Sequence, residues 1–365
     1  MTLDRILLGT FRNHRDTALE GTARFNLLVG ENGAGKTNVL EALSLLAPGR
    51  GLRRAALSGM ASQPGPGGFA VSAALAVPGG TVQLGTGIAP DRPNRRIVQI
   101  NGAEAPALRL AEWLSIGWLT PAMDRLFAEG AGARRRFLDR MVLALEPGHA
   151  RNAARLETAL RERNRLLAEA AEPDPAWLDA LDAQLAEAGS EVSQARSRLV
   201  IMLGQALAAL PEAPFARPSL AYAAGGPVDR QVLADALAAG RRRDRAARRS
   251  LIGPHRDDLA VTMAGPDKMG RAQSAAECST GEQKAMLIAI TLAHAELLGG
   301  ERPRLLLLDE VAAHLDPLRR QALFDRLRTG GAQVWLTGTE LAPFEEIAGE
   351  AIVWRVSGGS VEQVS

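Results

Sequence analysis

The sequence predicts an α/β fold in which a core of buried parallel strands is split by a long inserted α-helical arm. Three observations predict it. The stretch "GENGAGKTNVLEAL", residues 30–43, follows the apolar run Phe25 to Val29 and precedes the helical pattern Val39, Leu40, Leu43, Leu46, which reads as strand, glycine-rich turn and helix. A second apolar run, "LLLLDE" at residues 305–310, is continuous rather than alternating, as a parallel strand covered on both faces requires. Between Thr37 and Leu305 lie 267 residues, far more than a compact core needs to reach its next central strand, so something is inserted.

The first element carries chemistry. Gly30, Gly35, Lys36 and Thr37 fit the pattern G-x-x-x-x-G-K-[ST] in the strand, loop and helix context that a phosphate-binding loop needs. Residues Gly30, Glu31, Asn32, Gly33, Ala34, Gly35, Lys36 and Thr37 are the expected grip on ATP. Glycines let successive N–H groups turn toward phosphate oxygens, and the helix N-terminus adds partial positive charge. Lys36 is expected to reach the terminal phosphates, and Thr37 to supply a Mg2+ ligand. Asp309, at the carboxyl end of the second strand, is the expected metal partner of Thr37, and Glu310 the candidate to orient or deprotonate the attacking water.

The insertion reads as helical. Leu178, Leu181, Leu185, Ala188, Val192, Ala195, Leu199, Met202 and Ala206 recur at alternating steps of three and four, a coiled-coil seam. Leu156, Leu160, Arg163, Leu167 and Ala170 repeat the spacing upstream, and "EPDP" at 172–175 separates the two runs. An antiparallel coiled-coil hairpin is expected, its second helix about 50 Å long for about 35 residues at 1.5 Å each. The expected division is an N-terminal head part over 1–135, a helical arm over 136–249 and a C-terminal head part over 250–365.

A third motif, "STGEQK" at 279–284, opens the apolar helical stretch that runs to residue 297. Ser279 with Glu282 three residues on is a capping box that any helix uses. Its position about 26 residues before the acidic strand resembles the arrangement of the ABC and SMC ATPases, a resemblance that implies contact of this element of one head with the terminal phosphate held by another. Ser279, Thr280, Gly281, Glu282, Gln283 and Lys284 are therefore the expected trans-acting signature.

With these pieces placed, the chain resembles the RecF family from end to end. The resemblance rests on "FRNHRDTALE" (11–20), "GENGAGKTNVLEAL", "RRRFLDRMV" (134–142), "RERNRLL" (161–167), "GPHRDDL" (253–259), "STGEQK" and "LLLLDEVAAHLD" (305–316). It implies an ABC/SMC-like P-loop ATPase head with the helical arm inserted, and an ATP-dependent homodimer that binds duplex and gapped DNA. It also implies slow, DNA-stimulated hydrolysis and action with RecO and RecR to place RecA at single-strand gaps. Asp316 belongs by the same resemblance to a loop crossing the dimer interface. Three departures stand out: "AHLD" puts His314 where the family has an acid, "PAMD" at 121–124 replaces an acidic pattern, and no histidine follows "QVWLTGT", where Thr337 or Thr339 stands instead.

Composition sets the bounds. The 365 residues are 46% hydrophobic with a net charge of +2, so polyanion contact must come from local patches. The patches proposed for DNA are Arg134, Arg135 and Arg136, and Arg241, Arg242 and Arg243 within "RRRDRAARR" at 241–249, since guanidinium groups suit phosphate oxygens; a solvated face is the alternative. No aromatic residues interleave them, so duplex backbone contact is favoured over base stacking. Cys278 alone excludes an intramolecular disulfide and is expected to be a small buried hydrophobe, and no run approaches the roughly 20 apolar residues of a membrane span. A cytoplasmic protein without membrane contact is expected. For "GPHRDDL" a glycine–proline turn before a strand accounts for most of the polarity. Two other functions remain open: an ATPase subunit of a transporter-like complex, and a non-hydrolysing scaffold.

Overall fold

The computed structural model describes residues 2–169, 173–211, 213–215, 217–266, 272–298 and 302–364. It divides into two compact units, one formed by Met1–Asp124 with Thr291–Ser365 and the other by Arg125–Ile290. In chain order, the first unit opens with β1 (Leu3–Phe11), β2 (His14–Glu20), β3 (Phe25–Val29) and α1 (Lys36–Ser44). It continues through β4 (Phe69–Val77), β5 (Gly80–Ile88), β6 (Ile97–Ile100), β7 (Ala103–Glu104), α2 (Leu110–Trp113) and β8 (Ser115–Leu119). The second unit holds α3 (Ala131–Leu145), α4 (His149–Ala168), α5 (Pro175–Ala208), β9 (Pro218–Ala223), α6 (Arg230–Ala247), β10 (Asp258–Pro266), β11 (Ala272–Ser274) and the start of α7 (Thr280–Leu297). The chain then returns to the first unit for β12 (Arg304–Leu308), α8 (Pro317–Thr329), β13 (Gln333–Gly338), α9 (Glu345–Ala348), β14 (Ala351–Ser357) and β15 (Ser360–Gln363).

The first unit is built on two six-stranded sheets. One is antiparallel, in the order β2-β1-β4-β5-β6-β7; the other has the order β15-β14-β3-β13-β12-β8, parallel except at β15. The parallel strands β12 and β13 are buried almost throughout, which is why Leu305 to Leu308 of β12 form a continuous apolar run; the polar Gln333 and Thr337 of β13 are buried with hydrogen-bond partners. One core cluster joins Ile6 and Leu8 of β1, Val71 and Leu75 of β4, Val39, Leu40 and Leu43 of α1, and Leu305, Leu307 and Trp335 of β12 and β13. Each fully buried aliphatic side chain there contributes about 1.5–3 kcal/mol. Gln333 fixes β13 to β1 by mimicking a strand: its side chain accepts from Leu3 N at 3.0 Å and donates to Leu3 O at 3.1 Å.

The second unit contains the helical hairpin. Arg155 pairs with Glu187, Arg163 with Asp182, and Arg165 stacks on Trp177, so positions rising along α4 meet positions falling along α5, as antiparallel helices require. The hairpin is not a solvated two-helix arm. Beyond the expected seam, α5 also buries Ala186, Gly189, Ser190, Ser193, Arg196, Val200, Leu203 and Leu207. The small residues admit close neighbours: a Cβ on Gly189 would lie 3.1 Å from the Pro254 side chain and 3.2 Å from that of Leu233. Toward its end the buried stripe leaves Met202 and Ala206 for Leu203 and Leu207, because a 3.6-residue helix drifts against a strict heptad. Ala170 and Glu172 of the expected pattern lie outside the described residues.

The compact division falls at 124/125 and 290/291 rather than at 135/136 and 249/250. The reason is pairing across the expected boundaries. β9, expected in the arm, pairs with β10, expected in the head, in the sheet β11-β10-β9, and α3, which runs through 135/136, is tied to that sheet by Arg134 holding Asp258 through two hydrogen bonds of 2.7 and 2.8 Å. The "GPHRDDL" acids are thereby explained. Asp257, 1% exposed, accepts from Arg196, Ser193, Tyr222 and Gly225 N. Among the described residues no group of three or more His, Cys, Asp or Glu could hold a metal ion, and no helix is long and apolar enough to cross a membrane.

Candidate nucleotide site

The glycine-rich loop follows β3, which lies between two parallel neighbours, β13 and β14. Gly30 must lack a side chain, since a Cβ there would sit 2.1 Å from Val356 O. Gly33 and Gly35 turn the loop with φ of +81° and +120°, values that only glycine adopts readily. Lys36 begins α1, and its Nζ folds over the loop to donate to Gly30 O at 2.6 Å and Glu31 O at 2.9 Å. Burial lowers the Lys36 pKa, while the charges of Glu310 and Asp309 oppose that shift.

The acidic strand end arrives beside it. Asp309 N donates to Leu119 O at 2.9 Å, and Thr37 Oγ1 donates to Asp309 Oδ1 at 3.0 Å. Asp309 is 5% exposed, and burial raises its pKa against the hydrogen bonds from Thr337 and Thr37. Thr37 and Asp309 thus offer adjacent hard oxygen donors. Glu310 adopts φ +53°, a left-handed conformation unusual for a residue with a Cβ, and its N–H donates to Thr337 Oγ1 at 2.9 Å.

Sequence reasoning missed the bracing of the loop. Asn13 Nδ2 donates to Ala34 O at 2.8 Å, and Asn38 Nδ2 donates to Asn13 Oδ1 at 2.7 Å. His14, fully buried, places Nε2 3.1 Å from Gly35 O, and because a carbonyl only accepts, that nitrogen carries the hydrogen. Burial lowers the His14 pKa. Glu41, at 0% exposure on α1, binds Arg12 through two contacts of 2.9 Å and Arg53 at 3.1 Å. One signal was available: a lone acid in the otherwise apolar helix "VLEALSLL" needs a buried cation.

Ser279 and Glu282 form the capping box at the start of α7: Ser279 N and Oγ donate to Glu282 Oε2 at 2.8 and 2.7 Å. Thr280 and Gly281 are exposed, Gln283 Nε2 donates to Cys278 O at 2.9 Å, and Lys284 is half-buried. Cys278 is buried. Asp316 caps α8, accepting from Arg319 N at 2.9 Å; His314 closes a single 3-10 turn just before it. The six arginines proposed for DNA divide. Arg134 binds Asp258, Arg135 donates to Asp257 O at 2.8 Å, and Arg241 is clamped by Asp179 and Asp182 at 2.6 Å each. Arg136, Arg242 and Arg243 are exposed.

A parallel-sheet core with this loop, this acidic strand end and an antiparallel side sheet defines a P-loop ATPase head of the SMC class. Residues 2–352 match the RecF/RecN/SMC N-terminal domain model. The DNA replication and repair protein RecF of Mesorhizobium japonicum is 45% identical over 376 residues, covering 98% of this chain and 97% of that protein. RecF of Brucella suis is 43% identical, with 99% and 96% covered. The solved structure of the recombination mediator protein RecF-ATP of the RecFOR pathway superposes with a TM-score of 0.85 at 22% identity, covering 100% of this chain and 97% of that one. The chain belongs to the RecF family.

Proposed function

We propose that this chain is an ATP-gated DNA-binding protein of recombinational repair and replication restart, which dimerises on ATP and separates after slow, DNA-stimulated hydrolysis. The observation that carries the reading is the convergence of Thr37, Asp309 and Glu310 at the carboxyl ends of β3 and β12, where the phosphate loop also lies. The relatives supply the context. They are DNA replication and repair proteins, and the matching structure is named for ATP and the RecFOR pathway, which supports RecO and RecR as partners and RecA placement at gaps as the outcome, in the cytoplasm.

In this reading Gly30 to Lys36 bind the triphosphate through loop N–H groups, and Lys36 exchanges its two carbonyl contacts for phosphate oxygens. Thr37 and Asp309 would hold Mg2+; two neighbouring hard oxygens suit an ion that keeps several waters and takes one or two carboxylates plus phosphate. When bound, the ion supplies charge neutralisation on the transferred phosphate. Glu310 orients and deprotonates the attacking water. Ser279 and Gly281 of a second copy cap the terminal phosphate, and Asp316 lies at the same interface. DNA contact is assigned to exposed Arg242 and Arg243, with Arg136, rather than to the three arginines already bound internally.

The test is sedimentation with and without ATP, Mg2+ and gapped DNA, together with turnover of Glu310→Gln. The expected result is an ATP-dependent dimer, lasting longer in the variant, whose turnover falls at least about a hundredfold. A monomer under every condition overturns the clamp, and unchanged turnover favours a non-hydrolysing scaffold.

A further inference from the structure

Asp309 and Glu310 are sequence neighbours that must face different tasks, so the backbone has to turn between them. It turns at Glu310, whose φ of +53° costs about 1–2 kcal/mol relative to an ordinary conformation. Such a conformation persists only where surrounding structure over-determines it. The constraint comes from the neighbouring strand. Thr337, on β13 beside β12 and 1% exposed, donates its hydroxyl hydrogen to Asp309 Oδ1 at 2.8 Å and accepts the Glu310 N–H at 2.9 Å. A hydroxyl has one hydrogen and two lone pairs, so both bonds are made at once. The methyl group does neither.

We infer that Thr337 is a positioning residue for hydrolysis, its hydroxyl fixing Asp309 as a metal ligand and holding the turn that aims Glu310. The inference rests on the ATPase reading. It assigns a role to the strand end "QVWLTGT", which the motifs left unexplained, and it gives that role to Thr337 rather than Thr339. The hydroxyl contacts Asp309 and the Glu310 N–H, so its effect on hydrolysis is exerted through the two acids.

Two substitutions separate the hydroxyl from the bulk. Thr337→Val keeps the shape and removes both bonds, whereas Thr337→Ser keeps both bonds and removes a methyl. In the full-length protein, binding of a fluorescent ATP analogue is titrated with and without Mg2+, and single-turnover hydrolysis is followed alongside thermal unfolding. Thr337→Val is expected to bind nucleotide normally without Mg2+, to lose about 10–100-fold in the Mg2+-dependent increment and in turnover, and to remain folded with an unfolding temperature lowered by a few degrees, since the Glu310 N–H loses its acceptor. Thr337→Ser should stay within about threefold of wild type. If the valine variant fails to fold, Thr337→Ala, which makes no demand on volume, is read in its place. Wild-type Mg2+ response and turnover in the hydroxyl-less variant overturn the inference, as does equal damage in the serine variant. Absence of turnover in the wild-type protein itself would instead sink the ATPase reading, and the Mg2+ titration would still test the Thr337–Asp309 bond.

Discussion

The second unit is organised around a buried arginine, and its removal should be severe. Arg163 is 0% exposed and donates to Asp182 at 2.6 Å, to Asp244 at 2.6 Å, to Ser250 Oγ at 2.8 Å and to Leu237 O at 3.3 Å. Arg163→Met keeps an apolar stem of similar length and deletes the charge. Asp182 then retains Arg241, and among the described residues Asp244 retains the Leu251 N–H at 3.1 Å, so one carboxylate loses its charged partner. Breaking a buried pair by deleting one partner costs about 3–5 kcal/mol; the surviving Arg241 contact places the expectation near about 3 kcal/mol. For a unit of this size each kcal/mol lowers Tm by about 2–4 °C, giving a fall of about 6–12 °C. Scanning calorimetry of the full chain measures it. Adding Asp244→Asn should restore part of the loss, because the uncompensated charge is then gone. A shift under about 2 °C, or no recovery in the double variant, would refute the reasoning.

Three further outcomes are expected. Gly35→Ala puts a Cβ 2.8 Å from the Asn13 and His14 side chains at φ +120°; strain of about 1–3 kcal/mol should weaken ATP binding about tenfold or more, measured by equilibrium dialysis. Asp139 should make the second unit acid-sensitive. Burial pushes its carboxyl up, but hydrogen bonds from His149 and Arg196 prevail and hold it down to about 2. The unfolded chain ionises near 3.8, so this stability is complete above pH 4 and disappears as pH falls toward 2, by about 2 kcal/mol; denaturant melts across that range check the sign, and Asp139→Asn should flatten the slope. Arg242→Glu with Arg243→Glu should weaken DNA binding and reduce its salt dependence with Tm unchanged, whereas Arg241→Glu should lower Tm because it breaks the contacts to Asp179 and Asp182. Fluorescence anisotropy over a salt series distinguishes these outcomes.

Features resting on neighbouring residues were legible in the sequence. Strand β3, its glycine-rich turn and α1 are contiguous, and the apolar run of β12 announces its own burial. The long helix after "EPDP" follows from its spacing alone. What covers that helix did not: a heptad pattern states which side is apolar, and only the burial of the small residues at 186, 189, 190 and 193, with Gly189 against Leu233 and Pro254, shows that other flanks are packed as well. Charge misleads for a similar reason. Arg134 and Arg241 look like their exposed neighbours in sequence, and the acids that bind them lie 124 and 59 residues away.

The sequence by itself determined the phosphate loop, the acidic strand end and the class of head that carries them, because a backbone turn, a helix start and a buried strand are set by residues within a few positions. Tertiary structure alone decided how those parts are held: Asn13 and His14 against the loop, Glu41 between two arginines, Thr337 between two acids. Hydrogen bonds reach about 3 Å, and which distant residues come within that distance is fixed by strand order and packing rather than by any local pattern.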